Sequence, residues 1–137
     1  MTIDAQSAQD EPLLTERDML TRITDLLAPA INPGQLWVLL LDGLRRQTPV
    51  MIPIEDCPDL PEPALLDALA GVLTSILADS LGGDGSVIFV RERLGGDDIT
   101  TEDHGWAAGL AGACGRAGVP VTGIFLLSPH RVRPVAP

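Results

Sequence analysis

The 137-residue sequence contains no lysine and no tyrosine, and only 3% of its residues are aromatic. Its nine basic residues are all arginines, against nineteen aspartates and glutamates, which gives a formal net charge of −10. Such a field repels phosphate backbones and anionic lipid, so general binding to nucleic acid or to a membrane is not expected. Arginine without lysine is compatible with bidentate anion recognition, but the codon usage of a GC-rich genome explains it more simply.

Cysteine is also scarce. Cys57 and Cys114 lie far apart and belong to no Cys-x-x-Cys or Cys/His cluster, which is typical of reduced thiols in a cytosolic protein. Residues 1–12 lack the apolar core of a signal peptide, and the apolar runs look too short to span a bilayer. We therefore expect a cytoplasmic protein with a flexible acidic leader over residues 1–12 and a single α/β domain over residues 13–137.

Three segments carry helix signals. The first and third open with a capping box, in which a threonine hydroxyl and an aspartate three residues later satisfy early backbone donors. The second is predicted to start at Asp59 as its N-cap, with a proline in the first turn. The predicted helices begin at Thr15, Asp59 and Thr100 and end at Pro29, Gly82 and Gly118.

Strand signals fill the intervening segments. Leu36–Leu41 is a continuous apolar run bounded by turns, which predicts a strand covered on both faces. A hairpin leads to a returning strand over Thr48–Ile54, and Pro49 and Pro53 place it at a sheet edge because proline cannot donate to a ladder. Further strands are predicted over Ser86–Val90, Val121–Leu127 and Val132–Val135. The order α-β-β-α-β-α-β-β predicts a mixed sheet of about five strands with helices on its faces.

One stretch resembles a known family. Val87-Ile-Phe-Val-Arg-Glu-Arg-Leu-Gly-Gly-Asp-Asp-Ile-Thr-Thr-Glu-Asp103 resembles the JAB/MPN metalloprotease-like fold, particularly its RadC-like branch. In that family a strand ends in His-x-His-Pro, and Pro-Ser-x-x-Asp opens the next helix. The spacing here is the same with one residue deleted, so Thr100 takes the serine position and Asp103 the aspartate position. The order of elements is also that of the cytidine-deaminase-like fold.

The departures from these families determine the functional prediction. The two metal-binding histidines implied by the JAB resemblance fall on Arg91 and Arg93, and a guanidinium has no electron pair to give to zinc. Asp103 alone cannot hold a catalytic zinc, which needs about three protein ligands. The deaminase motifs, His-x-Glu and Pro-Cys-x-x-Cys, have no counterpart. We therefore expect no metal and no cofactor.

The same stretch supplies the candidate binding residues. Arg91 and Arg93 are two residues apart, so they should point to the same side of an extended chain. Together with backbone amides near Thr100 and Thr101 at a helix start, they form a candidate site for a carboxylate or phosphate. His104 follows as the candidate general base.

A structural interpretation competes with this one. The strand end would be solvated, and Arg91 or Arg93 would pair with the neighbouring acids Glu92, Asp97 or Asp98. Asp103 would be a cap carboxylate that complements the helix dipole.

The sequence leaves three functions open. The preferred one is a non-catalytic binding or protein-interaction module, a pseudoenzyme on a metal-less JAB-like scaffold. The first alternative is a small-molecule or anion-binding enzyme that uses Arg91, Arg93 and His104. The second is a structural subunit that forms a homodimer through its edge strand or a helix face. The expected partner is accordingly an unidentified protein, a small anionic ligand or a second copy of the chain.

Overall fold

The structure is a computed structural model that describes residues 11–137. It is a mixed α/β fold with the predicted order of elements, which confirms the predicted fold class. We number the elements along the chain as α1 (Glu16–Leu27), β1 (Gly34–Leu41), β2 (Gln47–Ile54), α2 (Pro63–Leu81), β3 (Ser86–Arg93), α3 (Thr101–Ala117), β4 (Val121–Leu127) and β5 (Val132–Pro134). Most of the predicted leader, residues 1–10, lies outside the described residues. Of the remainder, Pro12 forms a β-bridge with Arg46.

The five strands form one sheet in the order β2-β1-β3-β4-β5. β3 and β4 are parallel, and every other neighbouring pair is antiparallel. β2 lies at an edge, as its two prolines predicted. The parallel pair is joined by α3, so the end of β3 leads through a loop to the start of that helix.

Two hydrophobic cores lie on opposite faces of the sheet. Leu36, Val38 and Leu40 of β1 belong to the core that also contains the buried side of α2 and α3. Leu39 and Leu41 belong to the other core, which contains α1. The prediction that this strand is covered on both faces is therefore confirmed.

Two predicted boundaries are wrong by three residues, and β1 begins at Gly34, two residues before its predicted start. The second helix begins at Pro63, not near Asp59, and its N-cap residue Glu62 has an extended backbone because it precedes a proline. The carbonyls of Pro58 and Asp59 are instead held outside the helix by Trp106 Nε1, at 3.1 and 3.0 Å. β3 continues to Arg93 rather than ending at Val90, because its last three residues pair with the start of β1.

Helix α2 also departs from the expectation that no apolar stretch is long enough for a membrane. Its nineteen residues are sufficiently long and apolar to cross one, by length and composition alone. Core helices of soluble proteins pass the same test. Its buried residues, Leu66, Ala70, Leu73 and Leu77, pack into the core shared with α3, and the rest of the helix is partly or fully exposed.

Candidate functional site

Three charged side chains meet where β3 ends beside the start of α3. Arg91 and Arg93 are 6% and 8% exposed, and Asp103 is 2% exposed. Arg91 Nε donates to Asp103 Oδ1 at 3.0 Å, and Arg93 Nη2 donates to Asp103 Oδ2 at 2.7 Å. The two arginines therefore share one side of the strand, as their spacing predicted. We call these three residues the Arg-Asp-Arg cluster.

Asp103 belongs to this cluster and to the helix cap at the same time. The backbone N–H of Thr100 donates to Asp103 Oδ2 at 2.9 Å, and the backbone N–H of Asp103 donates to Thr100 Oγ1 at 3.2 Å. The predicted capping box is confirmed. Burial alone would raise the pKa of Asp103, but the hydrogen bonds from Arg93, the Thr100 amide and Arg91 hold that pKa well below its usual value.

Every N–H group of the Arg93 guanidinium donates a hydrogen bond to residues that follow it in the chain. Beyond its bonds to Asp103, its Nη1 donates to the carbonyls of Leu94 and Gly96 at 3.2 and 2.7 Å. Its Nη2 donates to the carbonyl of Asp98 at 2.7 Å. All five of its N–H donors are thereby used. Arg93 therefore fixes the loop between β3 and α3 and keeps no donor for an external anion.

Arg91 is held more loosely. Its guanidinium carbon lies 5.5 Å from the centre of the Trp106 ring, a cation–π distance. Apart from the Nε bond to Asp103, its guanidinium makes no hydrogen bond to residues 11–137. Its two terminal amino groups are thus without partners in the part of the chain that the structure describes.

The cluster corrects the structural interpretation of this stretch. The strand end is buried rather than solvated, and the carboxylate that pairs with both arginines is Asp103 instead of Glu92, Asp97 or Asp98. Two guanidinium groups face one carboxylate, so the cluster carries a net charge of +1. Arginine suits this buried position because its guanidinium is always charged, weakly hydrated and planar.

A second buried carboxylate, Glu92, which the sequence predicted only as a possible partner of Arg91 or Arg93, lies on the opposite face of the sheet. Glu92 is 2% exposed, and its Oε2 accepts the backbone N–H groups of Ile31 and Asn32 at 2.6 and 2.8 Å. Its Oε1 accepts Asn32 Nδ2 at 3.0 Å and Trp37 Nε1 at 2.9 Å. Glu92 therefore fastens the segment after α1 to the sheet. Burial would raise its pKa, but these hydrogen bonds, first those of Trp37 and Asn32, lower it.

The other predicted site residues do not join the cluster. Thr101 is the exposed first residue of α3. His104 is exposed as well, and its Nδ1 lies 3.4 Å from the carbonyl oxygen of Ala136. The structure therefore brings together Arg91, Arg93, Asp103 and the Thr100 cap, but not the candidate base.

Neither cysteine has the surroundings of a reactive thiol. Burial raises the pKa of Cys57, and its Sγ donates to the carbonyl of Ile54 at 3.3 Å. Burial also raises the pKa of Cys114, a core residue of α3. Both thiols are therefore held in the protonated form, which is the weaker nucleophile.

Within residues 11–137, no group of three or more His, Cys, Asp and Glu side chains is arranged to hold a metal ion. Comparison of the chain with protein-family models, curated proteins and solved structures finds no match. The resemblance to the JAB/MPN fold accordingly stays a prediction that rests on the spacing of Val87–Asp103.

Proposed function

We propose that this chain is a non-catalytic, cytoplasmic protein-interaction module, and that the outer face of α2 is its docking surface. The outer face consists of Ala64, Leu65, Ala68, Gly71, Val72 and Ser75, all of them exposed. Leu65 is 38% and Val72 54% exposed. The observation that carries the proposal is this row of apolar and small side chains, which no element within residues 11–137 covers, on the helix surface opposite the core.

The proposed occupant is the same face of a second copy of the chain. Small side chains let two helix axes approach closely, and a two-fold axis places a surface against its own copy. The only charged residues of α2 are Asp67 and Asp79, so the eleven residues between them carry no charge. Two copies therefore meet without like charges at the centre of the contact.

Sedimentation equilibrium tests this proposal. Wild type should self-associate, and Val72→Asp should be monomeric because it buries a carboxylate in the contact. Val50→Asp is the matched control, since Val50 is 41% exposed on the edge strand β2 and does not belong to the outer face of α2. A wild type that stays monomeric as its concentration rises contradicts the proposal, as does equal dissociation of both variants.

The Arg-Asp-Arg cluster supports the non-catalytic part of the proposal. The JAB resemblance implies that the positions of Arg91, Arg93 and Asp103 converge around a metal. Here these positions do converge, and both arginines form ion pairs with Asp103. We propose that an internal ion-pair cluster replaces the metal centre on a JAB-like scaffold. Elemental analysis of the purified protein tests this, because stoichiometric zinc would contradict it.

A second candidate function, anion binding, is favoured by the two terminal amino groups of Arg91, which have no hydrogen-bond partner within residues 11–137. A carboxylate or phosphate that reached them would receive two parallel hydrogen bonds and balance the charge of the cluster. Inorganic phosphate and formate should then raise the melting temperature of wild type but not of Arg91→Gln. Arg131→Gln, at an exposed position, is the control. Equal shifts in all three proteins exclude this candidate.

A further inference from the structure

The two edges of the sheet differ in how they are protected. On β2, Pro49 and Pro53 remove backbone donors that another strand would use. At the other edge, β5 pairs only with Phe125–Leu127, and one more bond joins the N–H of Val135 to the carbonyl of Ile124 at 2.9 Å. Within residues 11–137, the first three residues of β4, Val121–Gly123, have a strand neighbour only on the β3 side.

A groove of about 520 Å³ lies along this unpaired segment. One wall is formed by Glu16 and Met19 of α1, and the other by Ala111 of α3 and the C-terminal residues 134–137. Residues 121–125 of β4 form the floor. The lining is mainly apolar, and Glu16 carries the one charged side chain among the lining residues. The unpaired backbone and the apolar groove therefore coincide.

Gly123 keeps the floor of the groove free of a side chain. A Cβ atom at this position would lie 2.6 Å from Phe125 Cε2 and 3.3 Å from Met19 Sδ. A glycine inside a strand commonly marks a place where another backbone approaches closely. A larger residue at Gly123 would therefore force the side chain of Phe125 to shift. Within residues 11–137, no strand pairs with this part of the β4 edge.

We infer that this β4-edge groove binds an extended peptide segment of a partner protein as an added sixth strand. Backbone hydrogen bonds to Val121–Gly123 would supply affinity, and alternate side chains of the peptide would contact the two walls. Because the chain carries −10 and Glu16 borders the groove, the matching peptide is apolar with a flanking lysine or arginine. A concave groove is not self-complementary, so a single strand fits it better than a second copy.

This inference is independent of the α2 docking surface, and its test uses a different readout. The probe is a short capped peptide in which valine alternates with threonine, with a lysine at one end. In amide NMR spectra of the full chain, the peptide should shift the resonances of Val121–Gly123. The same peptide with alternate backbone nitrogens methylated, so that half of the donors are lost, should bind about tenfold more weakly.

A charge exchange provides a second readout that does not depend on the stability of the strand. Glu16→Lys should weaken binding of the lysine peptide and strengthen binding of a matching glutamate peptide. Glu102→Lys makes the same change in the first turn of α3, outside the groove, and should alter neither affinity.

Four outcomes overturn the inference. They are an absence of shifts at Val121–Gly123, equal binding of the methylated peptide, equal effects of the two lysine variants, and binding that appears only when residues 1–10 are removed. The last of these would assign the groove to the N-terminal segment of the chain itself.

Discussion

Two carboxylates are buried near the end of β3, on opposite faces of the sheet, and they are stabilised by different partners. Asp103 lies in the first turn of α3, on the sheet face covered by α2 and α3, and is bound by two guanidinium groups as well as a backbone amide. Glu92 lies on the α1 face and, among the described residues 11–137, is bound only by neutral donors from Ile31, Asn32 and Trp37. Both residues are 2% exposed, so a difference in burial does not explain a difference between the two sites.

The difference lies in what each carboxylate would leave behind if it were neutralised. Without the charge of Asp103, the buried ends of Arg91 and Arg93 lose their counter-ion, and an uncompensated buried charge is costly. Without the charge of Glu92, neutral N–H groups lose an acceptor, which costs the desolvation of each unsatisfied group. Neutralising the carboxylate of the Arg-Asp-Arg cluster should therefore destabilise the fold more than neutralising Glu92.

Asp103→Asn should have the largest effect. We expect the free energy of unfolding to fall by about 3–5 kcal/mol, because the variant leaves two cations unpaired in the interior. Urea denaturation followed by circular dichroism measures it. Asp98→Asn is the control, since the Asp98 side chain is exposed, and its cost should stay within about 0.5 kcal/mol. A loss from Asp103→Asn as small as that of the control would contradict the role of the cluster.

Glu92→Gln should cost less, about 2 kcal/mol. The glutamine keeps one acceptor oxygen, but its amino group then faces N–H donors. The same urea experiment, with Trp37 fluorescence as a local probe, measures the loss, and Glu55→Gln at an exposed position is the control. If Glu92→Gln proves more costly than Asp103→Asn, the proposed difference between the sites is wrong.

The sequence predicted part of the arrangement around Asp103. The Thr100-Asp103 capping box is local, so four residues suffice to specify it. The spacing of Arg91 and Arg93 likewise placed them on one face. That both arginines bind the same capping aspartate follows from how the end of β3 packs against α3, a contact between elements that local pattern does not contain.

The role of Glu92 as a buried anchor could not be predicted by the same reasoning. Alternation along β3 puts it on the face opposite Arg91 and Arg93, which is the one available signal. Its partners Ile31, Asn32 and Trp37 are 55 to 61 residues away along the chain, and they reach it only through the register of β1 against β3. The same pairing explains why β3 is longer than its apolar run, because β1 supplies partners up to Arg93.

The pH dependence of stability should reveal both sites. The folded-state pKa of each carboxyl is lowered, so the folded state binds fewer protons than the unfolded state in acid. The contribution of each carboxyl to the free energy of unfolding is therefore complete above the unfolded-state pKa of about 4. It is lost as the pH falls towards the folded-state pKa. One such group changes the free energy of unfolding by at most about 1.4 kcal/mol per pH unit.

Urea unfolding at a series of pH values below about 5 checks this. Wild type should lose stability steeply with falling pH, and Asp103→Asn should lose it less steeply because one titrating group has gone. Glu92→Gln should also flatten the profile. The slope of Asp98→Asn should match that of wild type. Identical slopes in all four proteins would show that neither buried carboxyl controls acid stability.

The smallest effect is expected from an ion pair made of the same two residue types at the surface. Arg116 Nη2 lies 3.0 Å from Asp67 Oδ1, a distance equal to that between Arg91 and Asp103, but the two side chains are 68% and 62% exposed. Water and salt screen such a pair, so a double-mutant cycle with Asp67→Asn and Arg116→Gln should give a coupling energy of about 0.3 kcal/mol. Added salt should reduce it further. A coupling as large as the loss from Asp103→Asn would mean that contact distance, and not burial, sets the strength of these pairs.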